Sequence, residues 1–129
     1  MQNSRDRLQI LVVDDNQPAR QLIKSTLALA GYTAITEAAD GSKALDQLHR
    51  HHFDLVICDW DMPGTSGIDV LQALRADGKL SKTPFLMVTA NQQREFVETA
   101  IAAGVNDYVA KPYRLNTLND KVARLLGGK

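Results

Sequence analysis

The chain has little of what marks a secreted, membrane-bound or nucleic-acid-binding protein. Its 129 residues include 15 basic and 15 acidic ones, so the formal net charge is zero and binding to nucleic acid by bulk attraction is not expected. Cys58 is the single cysteine, which excludes an internal disulfide, and the apolar run around it makes it a small core residue. The longest apolar stretch is far short of the roughly 20 residues that a membrane helix needs, and the polar first residues contain no signal-peptide core. We therefore expect a cytoplasmic protein with no membrane or nucleic-acid partner.

Four short apolar runs stand out, because each is followed by a residue that can handle a phosphoryl group. The runs cover residues 8–13, 53–58, 85–88 and 105–110, and the residues that follow are Asp14 with Asp15, Asp59, Thr89 and Lys111. Apolar runs without alternation predict strands buried on both faces, as in a parallel sheet covered by helices. Ligands of open parallel sheets bind beyond the carboxyl ends of the strands, so we expect these polar residues to meet at one edge.

Amphipathic patterns between the runs predict five helices. The first is capped by Asn16 and ends before Gly31, and the fourth is predicted to begin near Gln92. A weaker strand is predicted over residues 33–38. Five strands that alternate with five helices form one α/β domain with a doubly wound sheet. We predict a flexible N-terminus over residues 1–7 and a single domain over residues 8–127.

The acidic residues at the strand ends suit phosphoryl transfer. Carboxylates are the hard oxygen ligands that Mg²⁺ takes together with phosphate oxygens and water. A carboxylate at such a site can also be a nucleophile that forms an aspartyl phosphate. Lys111 supplies a point charge for a phosphoryl oxygen, and Thr89 supplies a hydrogen-bond donor. Acids at strand ends are common as ordinary loop residues, but this combination at four strand ends favours a functional site.

Motifs around these residues resemble those of the receiver domain of two-component response regulators, and the resemblance covers the whole chain. They are residues 12–15 (VVDD), 59–63 (DWDMP), 86–90 (LMVTA) and 108–112 (YVAKP), in the family's order and spacing. Within the family the chain is most similar to the single-domain, CheY-like chemotaxis regulators. The resemblance implies a flavodoxin-like sheet with strand order 2-1-3-4-5, the order for which CheY itself is a standard example.

The resemblance implies a role for each residue at the strand ends. Asp59 is the phosphoacceptor for a histidine kinase, and the chain is not an enzyme beyond its own phosphorylation and dephosphorylation. Asp15 and Asp59 bind Mg²⁺ (Mn²⁺ is possible) together with the backbone carbonyl of Asp61, while Asp14 acts mainly through water. Lys111 contacts the phosphoryl group.

The resemblance also implies how the signal leaves the site. Thr89 senses the phosphoryl group, and Tyr108 swings inward when Thr89 moves. The peptide bond before Pro112 is expected to be cis. An output protein or domain is expected to dock on the face formed by the fourth helix, the fifth strand and the fifth helix.

Three positions depart from the chemotaxis pattern. Asp61 stands where the chemotaxis regulators have an amide, and Asn91 stands where they have an acid. Arg114 occupies a position that often holds a helix-capping residue. Because the first two positions border the path of the attacking water in the family, we predict that Asp61 and Asn91 tune the rate of dephosphorylation.

Two other interpretations of the chain remain open at this point. A phosphatase of the haloacid dehalogenase type also begins with a strand-end Asp-x-Asp, which Asp59 and Asp61 match, although Pro63 stands where that family has Thr or Val. A receiver domain cut from a longer response regulator would have the same motifs. Hydrolysis of a simple phosphate ester would identify the phosphatase.

Overall fold

The computed structural model describes residues 4–90 and 93–127 and contains a five-stranded parallel sheet with helices on both faces. Its strands are β1 (Ile10–Val13), β2 (Ile35–Ala38), β3 (Leu55–Asp59), β4 (Phe85–Thr89) and β5 (Asp107–Ala110). Its helices are α1 (Gln17–Leu29), α2 (Gly41–Arg50), α3 (Gly67–Ala76), α4 (Arg94–Ala102) and α5 (Leu115–Leu125). The order β2-β1-β3-β4-β5 confirms the predicted fold class. Within the described ranges, no helix has the length and apolar character to cross a membrane.

The apolar strands divide the core into two layers. One layer joins the strands to α2, α3 and α4, and the other joins them to α1 and α5. Alternate residues of a strand face opposite layers, so Leu11 and Val13 belong to the first layer while Ile10 and Val12 belong to the second. All four are buried, which explains why the run has no polar alternation.

The described chain before β1 contains one short helical segment, and the predicted flexibility of residues 1–7 stays a prediction. Ser4–Arg7 forms a short 3-10 helix, and the Arg5 guanidinium donates a hydrogen bond to the Ala30 carbonyl at 2.9 Å. The first strand begins at Ile10 rather than at residue 8, because the Gln9 N–H donates to an Asp54 carboxylate oxygen at 2.8 Å instead of to the sheet. The domain boundary at residue 8 stays a prediction.

One more predicted boundary differs from the structure, and another lies outside the described residues. The fifth strand begins at Asp107 rather than at residue 105, because the Val105 N–H donates to the Ala100 carbonyl in the turn that ends α4. The described part of the fourth helix begins at Arg94, while Gln92, the predicted start, lies outside the described residues.

The register of the sheet brings the strand-end residues to one edge. Val13 pairs with Cys58, so Asp14 and Asp59 follow at the same level of neighbouring strands. Thr89 pairs with Ala110, which places Lys111 one residue beyond the β4–β5 pairing. The parallel arrangement therefore fulfils the expectation that these side chains share the carboxyl edge of the sheet.

Candidate functional site

Three carboxylates form the centre of the carboxyl edge. Asp14, Asp15 and Asp59 each offer an oxygen atom, and these atoms lie within 4.8 Å of one another. Asp14 is 1% exposed and Asp59 is 7% exposed, whereas Asp15 faces solvent. The site is thus buried on one side and open on the other. Hard oxygen donors at this spacing, with access to water, suit a divalent metal ion.

Lys111 faces this cluster. The Lys111 ammonium lies 3.2 Å from Asp14 Oδ2 and 3.7 Å from Asp59 Oδ1. Its backbone N–H donates to the Thr89 carbonyl at 2.8 Å, and the peptide bond between Lys111 and Pro112 is cis, as expected. One ammonium group does not balance three carboxylates, so the site keeps an excess of negative charge that a divalent cation would neutralise.

The electrostatics of Asp59 reflect this excess. Burial is the main cause that raises its pKa to about 6, and the charge of Asp14 raises it further. The Lys111 ammonium and a hydrogen bond from the Asp61 backbone N–H act in the opposite direction. The ionised form of Asp59 is therefore costly in the metal-free protein, and a cation beside it would remove that cost. The residues present fit a metal ion.

Asp14 is held in place by groups that the sequence did not point to. Its Oδ1 accepts the Asn16 N–H at 2.9 Å, and its backbone carbonyl accepts the Arg20 guanidinium at 2.7 Å. Arg20 in turn pairs with Glu37 of β2 at 3.1 Å. The only sequence signal for this pair is Glu37, the one charged residue of its short strand. Asp14 also contributes, after burial, to the raised pKa of Tyr113.

A close contact of the backbone fixes the loop that follows Asp59. A Cβ atom on Gly67 would collide with the backbone carbonyl oxygen of Asp59, so only glycine fits where α3 begins. The Gly67 N–H donates to the Trp60 carbonyl at 3.0 Å, and the Trp60 N–H donates to the Val88 carbonyl at 3.1 Å. These bonds tie the residue after the nucleophile candidate both to α3 and to β4. The sequence pattern predicts Gly67 as the approximate start of the third helix but does not reveal its contact with Asp59.

The two predicted signalling residues, Thr89 and Tyr108, lie on the neighbouring strands β4 and β5. Thr89 is 4% exposed at the end of β4, and Tyr108 on β5 is 37% exposed, with its ring at the surface. Asp61 is exposed, and Asn91 lies outside the described residues. Arg114 precedes α5 and makes no side-chain capping hydrogen bond, as its departure from the capping pattern suggests.

The comparison with known protein families agrees with this geometry. The sequence profile described as the response regulator receiver domain matches residues 10–123. The chain belongs to this receiver-domain family. Its members are signalling domains, which interact with histidine kinases and output targets, rather than classical enzymes. The match favours this interpretation over a phosphatase of the haloacid dehalogenase type.

Individual relatives are chemotaxis proteins and receivers. The chain is 45% identical to the chemotaxis protein CheY of Pseudomonas aeruginosa over 118 residues, which cover 92% of this chain and 95% of the relative. It is 42% identical to CheY-3 of Vibrio cholerae, covering 92% and 91%. Among solved structures, CheY4 of Vibrio cholerae has a TM-score of 0.85 at 33% identity, covering 92% of this chain and 98% of the other. A putative response regulator from Chloroflexus aurantiacus has a TM-score of 0.87 at 32% identity, covering 92% and 97%.

Proposed function

We propose that the chain is a phosphorylation-activated switch in which Asp59 accepts a phosphoryl group from a histidine kinase in the cytoplasm. An Asp59 carboxylate oxygen would attack phosphorus, the bond between phosphorus and the kinase imidazole nitrogen would break, and the imidazole would leave. The observation that carries the proposal is the burial of Asp59 beside Asp14 and Asp15, with the Lys111 ammonium 3.7 Å away. A buried nucleophile among fixed charges is suited to transfer by positioning and charge neutralisation.

Mg²⁺ is the cation we assign to the acidic cluster, with Mn²⁺ as a possible substitute. Asp15, Asp59 and the backbone carbonyl of Asp61 would hold it, and Asp14 would contribute through water. When bound, the ion neutralises charge on the phosphoryl oxygens. The proposal is supported by the carboxylate donor set and by the raised pKa of Asp59.

Lys111 is assigned the other side of the phosphoryl group. In the unphosphorylated protein its ammonium pairs with Asp14 at 3.2 Å and already lies near Asp59. A small movement would bring it to a phosphoryl oxygen, where a compact charge on a flexible stem is effective. Thr89 would donate its hydroxyl proton to another phosphoryl oxygen, and this contact would begin the response.

The output surface is assigned to the face of α4, β5 and α5. Three large apolar side chains are exposed there: Ile101, Tyr108 and Leu115. Phosphorylation would bias an existing equilibrium between two arrangements of this face, and an output protein or domain would bind one of them. An inward movement of Tyr108 is the change we assign to the active arrangement.

A small phosphodonor tests the chemistry without the kinase. Acetyl phosphate with Mg²⁺ should raise the intact mass of the protein by one phosphoryl group, and Asp59→Asn should abolish the labelling. Asp40→Asn is the matched control, because Asp40 caps α2 and asparagine caps a helix equally well. Labelling that persists in Asp59→Asn would contradict the assigned nucleophile. Rapid turnover of a simple phosphate ester would support the phosphatase alternative instead.

A further inference from the structure

Tyr108 is held at the surface by charged neighbours on β5 and α5. The Lys121 ammonium lies 5.9 Å from the centre of the Tyr108 ring, within the range of a cation–π contact. The same ammonium pairs with Asp107 Oδ1 at 2.9 Å, and Asp107 Oδ1 also accepts the Tyr108 N–H at 2.8 Å. These contacts favour the outward position of the ring but leave it able to rotate, because it is 37% exposed.

The space beneath Tyr108 is nearly full. A cavity with about 10 Å³ of free volume lies between Tyr108 and Thr89. A volume of this size holds about one water molecule. It does not hold a phenol ring, so Tyr108 enters only if a wall of the cavity moves. The other residues that line it are Trp60, Met87, Phe96, Val97 and Ala100.

Two of the lining side chains, Phe96 and Val97, are half-buried on α4, and the Phe96 ring is the larger of these two walls. Met87 and Ala100 are buried, and Trp60 is buried with its backbone bonded to both β4 and α3. Phe96 is half-buried on the first turn of α4 and packs edge-on against Trp60, with 5.2 Å between ring centres and 73° between ring planes. This contact is favourable in geometry, and it is lost when Phe96 moves aside.

We propose that Phe96 is a gate: its ring must leave Trp60 before Tyr108 can occupy the space beside Thr89. The inference rests on the proposed function, because it takes the inward position of Tyr108 as the active one. It adds a residue that sets how often the unphosphorylated protein adopts that position. The edge-to-face pair with Trp60 favours the outward position of Tyr108. Weakening this pair raises the population of the inward position.

Ring-to-methyl NMR contacts between Tyr108 and Thr89 test the gate directly. In the absence of any phosphoryl mimic, Phe96→Ala should raise the ratio of inward to outward Tyr108 by about two- to tenfold, the factor carried by one aromatic pair. Phe96→Leu, which keeps an apolar side chain, should give a smaller rise in the same direction. Val97→Ala enlarges the same cavity by less and keeps the aromatic pair, so its rise should be smaller than that of either Phe96 variant.

The outcomes separate the gate from the proposed function. An unchanged ratio in Phe96→Ala and Phe96→Leu, or an equal rise in Val97→Ala, would overturn the gate. The switch itself is judged on the parent chain with Mg²⁺ and beryllofluoride, which mimics the phosphoryl group. If the parent responds but the Phe96 variants match it throughout, only the gate is wrong. If the variants show inward Tyr108 while the parent never responds to beryllofluoride, the gate stands and the switch is wrong.

Discussion

At the carboxyl edge of the sheet three carboxylates face one ammonium group, whereas at the amino edge one guanidinium is surrounded by four oxygen acceptors. Arg75, near the end of α3, donates to the carbonyls of Gly104, Ser81 and Thr83 at 3.0, 3.2 and 2.7 Å. It also donates to the side-chain oxygen of Asn106 at 2.8 Å. Its charge is half-buried, but its donors are matched to acceptors.

The two edges differ in whether buried charge is compensated within the chain. At the amino edge the Arg75 contacts join α3 to the loops before β4 and β5, and Asn106 Oδ1 also accepts the Phe85 N–H at 2.8 Å. A satisfied network of this kind stabilises the fold. At the carboxyl edge the excess of carboxylates lowers stability and leaves affinity for a cation. The proposed function is therefore assigned to the edge where carboxylate charge is not balanced by partners within the chain.

The largest effect is expected from breaking the satisfied edge. Arg75→Ala should lower the free energy of unfolding by about 3 kcal/mol, because four acceptors lose their donor together. Urea denaturation in metal-free buffer measures the change. Arg124→Ala is the control, since Arg124 is largely exposed and only reaches Asp107 at 4.0 Å; it should cost less than about 0.5 kcal/mol. An equal loss of unfolding free energy in the two variants would show that the Arg75 network contributes no more to stability than an exposed arginine does.

The opposite sign is expected at the carboxyl edge. Asp59→Asn should raise the metal-free stability at pH 8 by about 1–3 kcal/mol, the value of the raised pKa after allowance for solvent screening. The pKa of Asp59 is higher in the folded protein (about 6) than in the unfolded chain, where it is close to 4. The folded state therefore holds this proton more tightly, and the parent loses stability as pH rises from about 4 to about 6.

The pH profile makes this prediction specific. The advantage of Asp59→Asn over the parent should be absent below pH 4, grow between pH 4 and pH 6, and stay constant above. Asp40→Asn, an acid-to-amide change at a helix cap, should show no such profile. A variant that is less stable than the parent at pH 8 would contradict the argument from crowded carboxylates.

The residues of the carboxyl edge could be predicted from the sequence because each follows a strand. The carboxyl ends of parallel strands lie at the same edge of the sheet. An apolar run followed by a polar residue therefore predicts that Asp14, Asp59 and Lys111 lie close together although they are far apart in the sequence. The partners that hold these residues could not be predicted in the same way. Arg20 reaches Asp14 from a helix, and Gly67 touches Asp59 through a loop. Such contacts depend on the packing of elements rather than on periodicity.

The amino edge was not predicted from the sequence at all. Arg75 looks like an ordinary basic residue in the last turn of a helix, where it complements the helix dipole. Three of its four acceptors are backbone carbonyls, and any residue type supplies those. The contact between Trp60 and Phe96 could not be predicted from the sequence either. Trp60 follows β3 and Phe96 lies on α4, so the two rings come together only when the chain folds.

Mg²⁺ should compensate the excess negative charge that distinguishes the carboxyl edge from the amino edge. At a concentration tenfold above its Kd, it should stabilise the parent by about 1.4 kcal/mol through binding to the folded state. It should also change the emission of Trp60, the single tryptophan, which follows Asp59 directly. Arg75→Lys, which leaves the carboxyl edge intact, should respond like the parent, while Asp59→Asn should respond much less. A melting temperature and an emission spectrum that both ignore Mg²⁺ would rule out the metal site.

The smallest effect is expected at Asp61, whose side chain is exposed and whose charge is the weakest contributor to the raised pKa of Asp59. A carboxylate there would act in two ways on phosphorylated Asp59. It would orient the attacking water as a general base, or it would repel negative groups that approach the site. Repulsion at about 4 Å is worth about 1 kcal/mol in water, or about fivefold in rate, so we expect a change of that order in the decay of phospho-Asp59.

The decay rate in Asp61→Asn, alone and with Asn91→Glu, decides which action dominates. Slower decay in Asp61→Asn identifies the carboxylate as the base that orients water, and faster decay identifies it as an electrostatic brake. Asp69→Asn is the matched control, because Asp69 is an exposed acid in the capping box of α3 and not part of the acidic cluster. The charge of Asp61 adds to the excess of negative charge at the carboxyl edge. Its removal should therefore change the chemistry of phospho-Asp59 without affecting the Arg75 network. Rates equal to the parent in both variants would mean that these two departures from the chemotaxis pattern do not set the lifetime of the phosphorylated state.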